Sequence, residues 1–302
     1  MKSNDSSIID VSIIIINYNT SALVNDCLKS IFEQSSDFSY EIIIVDNATE
    51  NLSEMIYWTD PRIRFLQLDK NLGFGGANNR AFEIASGRYL FCLNPDTVLI
   101  NNAINILKDF LDIHPECGAC GGNLYDEAGK PALSYKMRGP GFFEDTDQLL
   151  KRGLSRLFYG KNYMFNHGIK PQKTAYINGA DLMLRRTVIN QVGGFDNDFF
   201  LYYEETELQF RIRRYGYTIC SVPQAKIIHL EGKSFSISRH RETLSLLSRK
   251  LYFDKTHGKI YKRLISSYYF VLTKLSLIIA TAINNKPYIS KLKQRVEVLK
   301  EI

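Results

Sequence analysis

Asp96 closes the most chemically suggestive stretch of the chain. In residues 88–100, RYLFCLNPDTVLI, an apolar run that reads as a buried strand breaks at Asn94-Pro95-Asp96 before hydrophobicity resumes. A carboxylate at the end of a buried strand can hold Mg²⁺ or Mn²⁺, because hard divalent cations take oxygen ligands and need few from the protein when a diphosphate supplies the rest. The same tripeptide also reads as a plain turn, with Asp96-Thr97 leading into the next helix.

Three more carboxylates, Glu204, Glu205 and Glu207, open a segment whose Leu208, Arg211 and Ile212 repeat at helical spacing. Acidic residues favour a helix N-terminus for dipole reasons alone. The approach FDNDFFLYYEETEL is different, because its apolar and aromatic residues desolvate the carboxylates, and a desolvated carboxylate has a raised pKa and can act as a general base. His229 ends a later apolar run and can be a metal ligand or a satisfied polar residue. Gly73, Gly75 and Gly76 in LGFGGANN can cradle phosphate or let a turn enter a helix. Cys117 and Cys120 form a lone C-x-x-C with no second pair at zinc spacing, and all five cysteines read as reduced packing thiols.

These residues need a scaffold that brings them together. From 11 to 97 the chain alternates apolar, β-branched runs with helical periodicity: strands at 11–16, 41–45, 63–68 and 89–93, and helices at 22–32, near 52–58 and at 77–85. That alternation implies an α/β fold with a largely parallel sheet covered on both faces. Ligands of such sheets sit beyond the carboxyl ends of the strands. The residues there are polar: Asn17, Tyr18 and Asn19, then Asp46 and Asn47, then Asp69, Lys70 and Asn71, then Asn94 and Asp96. Four polar ends on one edge describe a nucleotide-sized cleft. Residues 125–174 have poor periodicity and read as a long loop over that cleft.

With 302 residues, 45% of them hydrophobic, the chain can bury a sizeable core, which excludes disordered and fibrous classes. Its net charge of +6 is uneven: residues 241–302 carry 13 Lys/Arg against 4 Asp/Glu. A basic tail of this kind, reading as two or three helices, faces anionic lipid or nucleic acid or is simply solvated. Residues 263–283 approach the length of a membrane span, but Lys274 at their centre favours a helix packed on the protein or lying at a membrane surface. The N-terminus lacks the charged-then-apolar order of a signal peptide, so a cytosolic location is expected.

The ordered runs VSIIIINYN, EIIIVDNAT, NLGFGGANNRAFEIASGRYLFCLNPDT, INGADLMLRR, GGFDNDFFLYYEETELQFRIRRYG and AKIIHLEGKS resemble inverting family 2 glycosyltransferases of the GT-A fold. The likeness covers residues 10–235 and is nearest to the rhamnosyltransferase-like branch that builds bacterial O-antigen and other surface polysaccharides. It implies a catalytic unit over 1–238, with a nucleotide-binding half (10–97) and an acceptor half (98–238), followed by a basic helical extension (239–302). Tyr18, Asn19, Asp46, Asn79, Asn94 and the Gly73, Gly75, Gly76 turn would contact the donor. Asp96 matches the last acid of the family's metal motif, and His229 sits where some relatives supply a further ligand.

The family's base is usually the Asp of a Glu-Asp pair; here the pair is Glu204-Glu205, so Glu205 takes that place with one extra methylene. Asp181 and Glu207 would face the acceptor. The implied reaction is metal-dependent transfer of a sugar, L-rhamnose from dTDP-rhamnose being favoured, to a lipid-linked glycan. The implied setting is the inner face of a bacterial plasma membrane, with peripheral contact through the tail, no nucleic acid partner, and self-association left open. Two rival readings are a sugar-1-phosphate nucleotidyltransferase, disfavoured because NYNTSALV replaces a Gly- and Arg-rich phosphate loop, and a non-catalytic assembly subunit of the same fold.

Overall fold

The computed structural model describes residues 9–50, 59–230 and 239–302. The helix expected near 52–58 and the Glu231-Gly232-Lys233-Ser234 run lie outside the described residues. The N-terminal half alternates β1 (Val11–Asn17), α1 (Ser21–Gln34), β2 (Tyr40–Asp46), β3 (Ile63–Gln67), α2 (Gly73–Ile84) and β4 (Tyr89–Leu93). β5 (Thr97–Leu99), α3 (Ala103–Ile113) and β6 (Cys117–Tyr125) follow. Next come β7 (Tyr135–Lys136), α4 (Phe142–Leu149), α5 (Gly153–Tyr159), β8 (Gln172–Lys173), β9 (Tyr176–Ile177), β10 (Asp181–Arg185) and α6 (Arg186–Val192). α7 (Glu204–Arg214), β11 (Thr218–His229), α8 (Arg239–Ala282) and α9 (Lys286–Glu301) complete the chain.

The main sheet runs β3-β2-β1-β4-β10-β6-β11-β5, with β8 beside β11. β3, β2, β1 and β4 are mutually parallel, as the alternating pattern predicts. β10 then enters antiparallel to both β4 and β6, so the sheet is mixed. Successive residues of β1 serve opposite faces: Ile13 and Ile15 pack with Cys27, Leu28, Ile31 and Leu107, while Ile14 and Ile16 pack with Ala77, Ala81, Leu208 and Ile212. Both faces are covered by helices, which is why the central strands are apolar without alternation. Burying each such side chain contributes roughly 1.5–3 kcal/mol. The five cysteines are free and buried, several of them inside these cores.

The stretch expected to be a long loop holds α4 and α5 instead. Helices of eight and seven residues complete barely two turns, too few for a periodic pattern to stand out. Beyond them, α8 bends at Gly258 and packs on α4 and α7. Tyr252 and Phe253 join Phe199, Tyr203 and Phe210 in an aromatic cluster, and Arg249 pairs with Asp145 of α4.

Candidate active site

Asp96 and His229 meet because β11 curls. Only Asn94, Pro95 and Asp96 separate β4 from β5, yet β5 pairs antiparallel with the last residues of β11, with Thr97 opposite His229. A register shift between Ser221 and Lys226 bends β11 so that its end returns to the end of β4. Asp96 O accepts from Leu230 N–H (2.8 Å), and Asn94 O accepts from the Thr97 hydroxyl (2.7 Å), which fixes the turn. His229 Nε2 then lies 3.3 Å from Asp96 Oδ1, with both side chains buried. One carboxylate and one imidazole suit Mn²⁺ or Mg²⁺ when substrate oxygens complete the sphere. Among the described residues no third His, Cys, Asp or Glu joins them.

The second part of the site is carried by the loop 193–203. Tyr202 and Tyr203 both adopt left-handed backbone (φ 70 and 68), a cost of roughly 1–2 kcal/mol each that surrounding contacts must offset. This contortion starts α7 at Glu204 and aims its first turn at the sheet edge. Glu205 lies beside Gly179, whose missing Cβ would sit 3.5 Å from Glu205 Cγ. Two residues on from Gly179, the sheet begins with β10, and Ala180 O accepts from Asn94 N–H (3.0 Å). Glu205 and Asp96 therefore share one edge.

Burial pushes both glutamates up from the ordinary carboxylate range, Glu204 further, with the charge of Glu205 adding to it. Glu205 is half-buried, whereas Glu204 is buried and its Oε2 has no hydrogen-bond partner among the described residues. A raised folded-state pKa means that the stability contributed by protonated Glu204 is complete below the unfolded value and is lost as pH rises through the folded one. Glu204→Gln is therefore expected to melt higher than the parent at about pH 8, with the gain shrinking toward about pH 4, when thermal unfolding is followed across pH.

A cavity of about 430 Å³ lies next to this edge. Tyr18, Gly73, Phe74, Asn94 and Pro95 line one side, and Phe200, Leu201 and, from α8, His240, Arg241 and Leu244 line the other. Asn47 shapes its floor: its amide donates to Asn71 Oδ1 (2.9 Å) and Gly73 O, and its Oδ1 accepts from Leu72 N–H.

The sequence matches the model of glycosyl transferase family 2 over residues 12–192, more than half of the chain. The chain belongs to glycosyltransferase family 2. A family 2 relative, the N-acetylglucosaminyl-diphospho-decaprenol L-rhamnosyltransferase of Mycobacterium tuberculosis, is 25% identical over 64% of this chain and 67% of its own. The O-antigen biosynthesis protein RfbC of Myxococcus xanthus is 26% identical over 74% of this chain, which spans only 17% of RfbC. In three dimensions the chain superposes with a TM-score of 0.60 on a mannosyltransferase from Pyrobaculum calidifontis in complex with GDP-Man and Mn²⁺, covering 96% of this chain and 84% of that one at 17% identity. The shared architecture is the GT-A fold.

Measured against the family's expected roles, the residues divide. Tyr18, Gly73 and Asn94 line the cavity, Asp96 follows Asn94 and Pro95 and pairs with His229, and Glu205 lies beside Gly179. Asn79 is placed elsewhere: its amide holds Phe195 through both N–H and C=O and also reaches Asn197, so it pins the 193–203 loop. Glu207 grips Arg211, which donates to the carbonyls of Val192 and Gly194, so it too shapes that loop. Asp46 is fully buried, accepting from Asn17 and Thr49, while Asn19 is tied to Thr49 and Glu50. Gly75 and Gly76 face Phe195 and Leu72.

Asp181 is fully enclosed by the sheet, its Oδ2 accepting from Gly122 N–H (2.6 Å), and burial pushes its carboxyl well up. These are polar or small residues whose types, rather than their contacts, are what sequence could register. Phe74, Phe200 and Arg241 escaped that filter because only the fold reveals which face of their elements meets the cavity.

Proposed function

We propose that the chain is a metal-dependent inverting transferase that moves a sugar, L-rhamnose from dTDP-rhamnose being favoured, from a nucleotide diphosphate to a hydroxyl of a lipid-linked glycan in surface polysaccharide synthesis. What supports this reading is the Asp96–His229 pair at the end of β4 together with a half-buried, desolvated Glu205 beside Gly179, whose neighbour Ala180 accepts from Asn94 N–H. Glu205 takes the proton of the acceptor hydroxyl. The freed oxygen bonds to the anomeric carbon from the face opposite the nucleotide as the carbon–diphosphate bond breaks, so configuration inverts in one displacement and the nucleoside diphosphate departs. Asp96 and His229 would hold Mn²⁺ or Mg²⁺, which when bound neutralises charge on the leaving diphosphate. Tyr18 and Asn94 orient the donor, and the aromatic walls of Phe74 and Phe200 exclude water.

The L-rhamnosyl and decaprenol-diphosphate terms of the Mycobacterium tuberculosis relative's name support the sugar and the acceptor class. The basic tail supports peripheral contact with the inner face of a bacterial plasma membrane. Incubation with Mn²⁺, candidate nucleotide sugars and lipid-linked acceptors is expected to release nucleoside diphosphate. Release of pyrophosphate from a nucleoside triphosphate and a sugar phosphate would replace this reading with nucleotidyl transfer.

His229→Ala is expected to raise the Mn²⁺ concentration needed for half-maximal nucleoside diphosphate binding about 10- to 100-fold, measured calorimetrically. An unchanged Mn²⁺ requirement removes His229 from the metal site.

A further inference from the structure

The tail carries a surface that the fold leaves uncovered. Beyond Gly258, α8 buries Ile265, Leu272 and Ala280 against its surroundings, including α9, while Tyr261 and Tyr268 contact Phe142 of α4. Its other side exposes Ile260 (81%), Leu264 (58%), Val271 (52%), Leu275 (42%) and Ile278 (65%). The spacings of four, seven, four and three residues place these five side chains on one stripe of the helix. Arg263 and Lys274 flank that stripe, and neither has an ion-pair partner among the described residues. From 255 to 296 the chain has nine Lys/Arg and no Asp or Glu. An apolar stripe edged by unpaired cations, in an acid-free segment, complements an anionic lipid surface more closely than a second copy bearing the same charges.

The same helix holds the catalytic loop. Before Gly258, Ser248 donates to Leu201 O (2.8 Å), Tyr252 packs on Tyr203 with ring centroids 5.6 Å apart, and Lys255 bridges Asp196 and Asp198. His240, Arg241 and Leu244 wall the cavity. One element thus touches the cavity, clamps the backbone leading to Glu204 and Glu205, and presents the uncovered stripe.

We propose that the distal half of α8 lies in the surface of an anionic membrane, its stripe inserted and Arg263 and Lys274 at headgroup level, and that this seating steadies the 195–203 loop through the proximal half. α8 contains a stretch long and apolar enough to span a bilayer. Spanning would strip its packed face from α9 and α4 and carry Lys274 to mid-bilayer, so the interfacial placement is favoured. The inference deepens the membrane contact in the proposed function, but its test uses no donor or acceptor, so either can fail without the other.

Full-length protein is sedimented with vesicles of phosphatidylethanolamine and phosphatidylglycerol, and with phosphatidylcholine alone. Binding is expected only to the anionic vesicles, with release by alkaline carbonate. Leu275→Asp with Ile278→Asp, both on the exposed stripe, is expected to lower binding about tenfold or more while the melting temperature holds. Retention after carbonate would establish a span, equal binding by the variant would place contact elsewhere, and a dimer mass lost in the variant would assign the stripe to a second copy; each overturns the proposal. Hydrogen exchange of residues 195–203 is expected to slow on vesicles in the parent and not in the variant, and no slowing in the parent overturns the coupling.

Discussion

Glu205→Gln is expected to lower sugar transfer about 10²- to 10⁴-fold, the range a positioned general base contributes. The amide keeps the shape of the side chain beside Gly179, so the fold and nucleotide binding should persist while the proton acceptor is lost. The neighbouring carboxylate provides the control. Glu204 is buried where Glu205 is half-buried, so Glu204→Gln should retain most activity; the reverse result would move the base to Glu204. Burial raises Glu205, so the acidic limb of kcat/KM should fall above the ordinary glutamate value of about 4.3, with activity lost as pH drops and the base takes up its proton. Full turnover by Glu205→Gln would end its candidacy.

Gly73→Ala is expected to cost about 3 kcal/mol or more of stability and to narrow the cavity that Gly73 lines. Gly73 sits at φ +74, and a Cβ there would stand 1.9 Å from Phe200 O, a backbone atom that Phe74 N–H already engages at 3.2 Å. The left-handed backbone alone costs about 1 kcal/mol for alanine. The overlap demands that the 193–203 loop retreat, taking Glu205 with it. A melting temperature at least about 6 °C lower and a weakened nucleoside diphosphate titration would bear this out. Gly129→Ala separates the two costs: φ there is +73, as at Gly73, but nothing lies within 4 Å of the added carbon, so only the smaller conformational penalty should appear.

The reason for that asymmetry shows what sequence could convey. Strands and helices over 11–93 were legible because burial on both faces writes continuous apolar runs, and the polar strand ends marked the cleft. The meeting of Asp96 with His229 was not, since it depends on a register shift 130 residues downstream of a turn. Asn79, Gly73 and Glu207 caught attention for their residue types, yet in the structure they converge on one loop from two helices, α2 and α7. The helices α4 and α5 were illegible for want of length. The tail's helical period was legible, but its hold on the 193–203 loop before Gly258 was not, because that contact pairs residues some fifty positions apart.

β10 imposes an order on synthesis. Residues 11–93 contain every strand of the parallel group β3-β2-β1-β4 and can pair as they emerge from the ribosome. The outer edge of β4 then stays open until Asp181–Arg185 arrives to pair with it. For the time taken to make some ninety intervening residues, a five-residue strand of apolar side chains, buried in the finished fold, has an unpaired ladder facing solvent. Such an edge is where nascent chains pair with one another. Expression at a slower elongation rate, or truncation before residue 181, should therefore drive the chain into inclusion bodies, and late closure of the sheet by β10 becomes the slow, non-local step of folding.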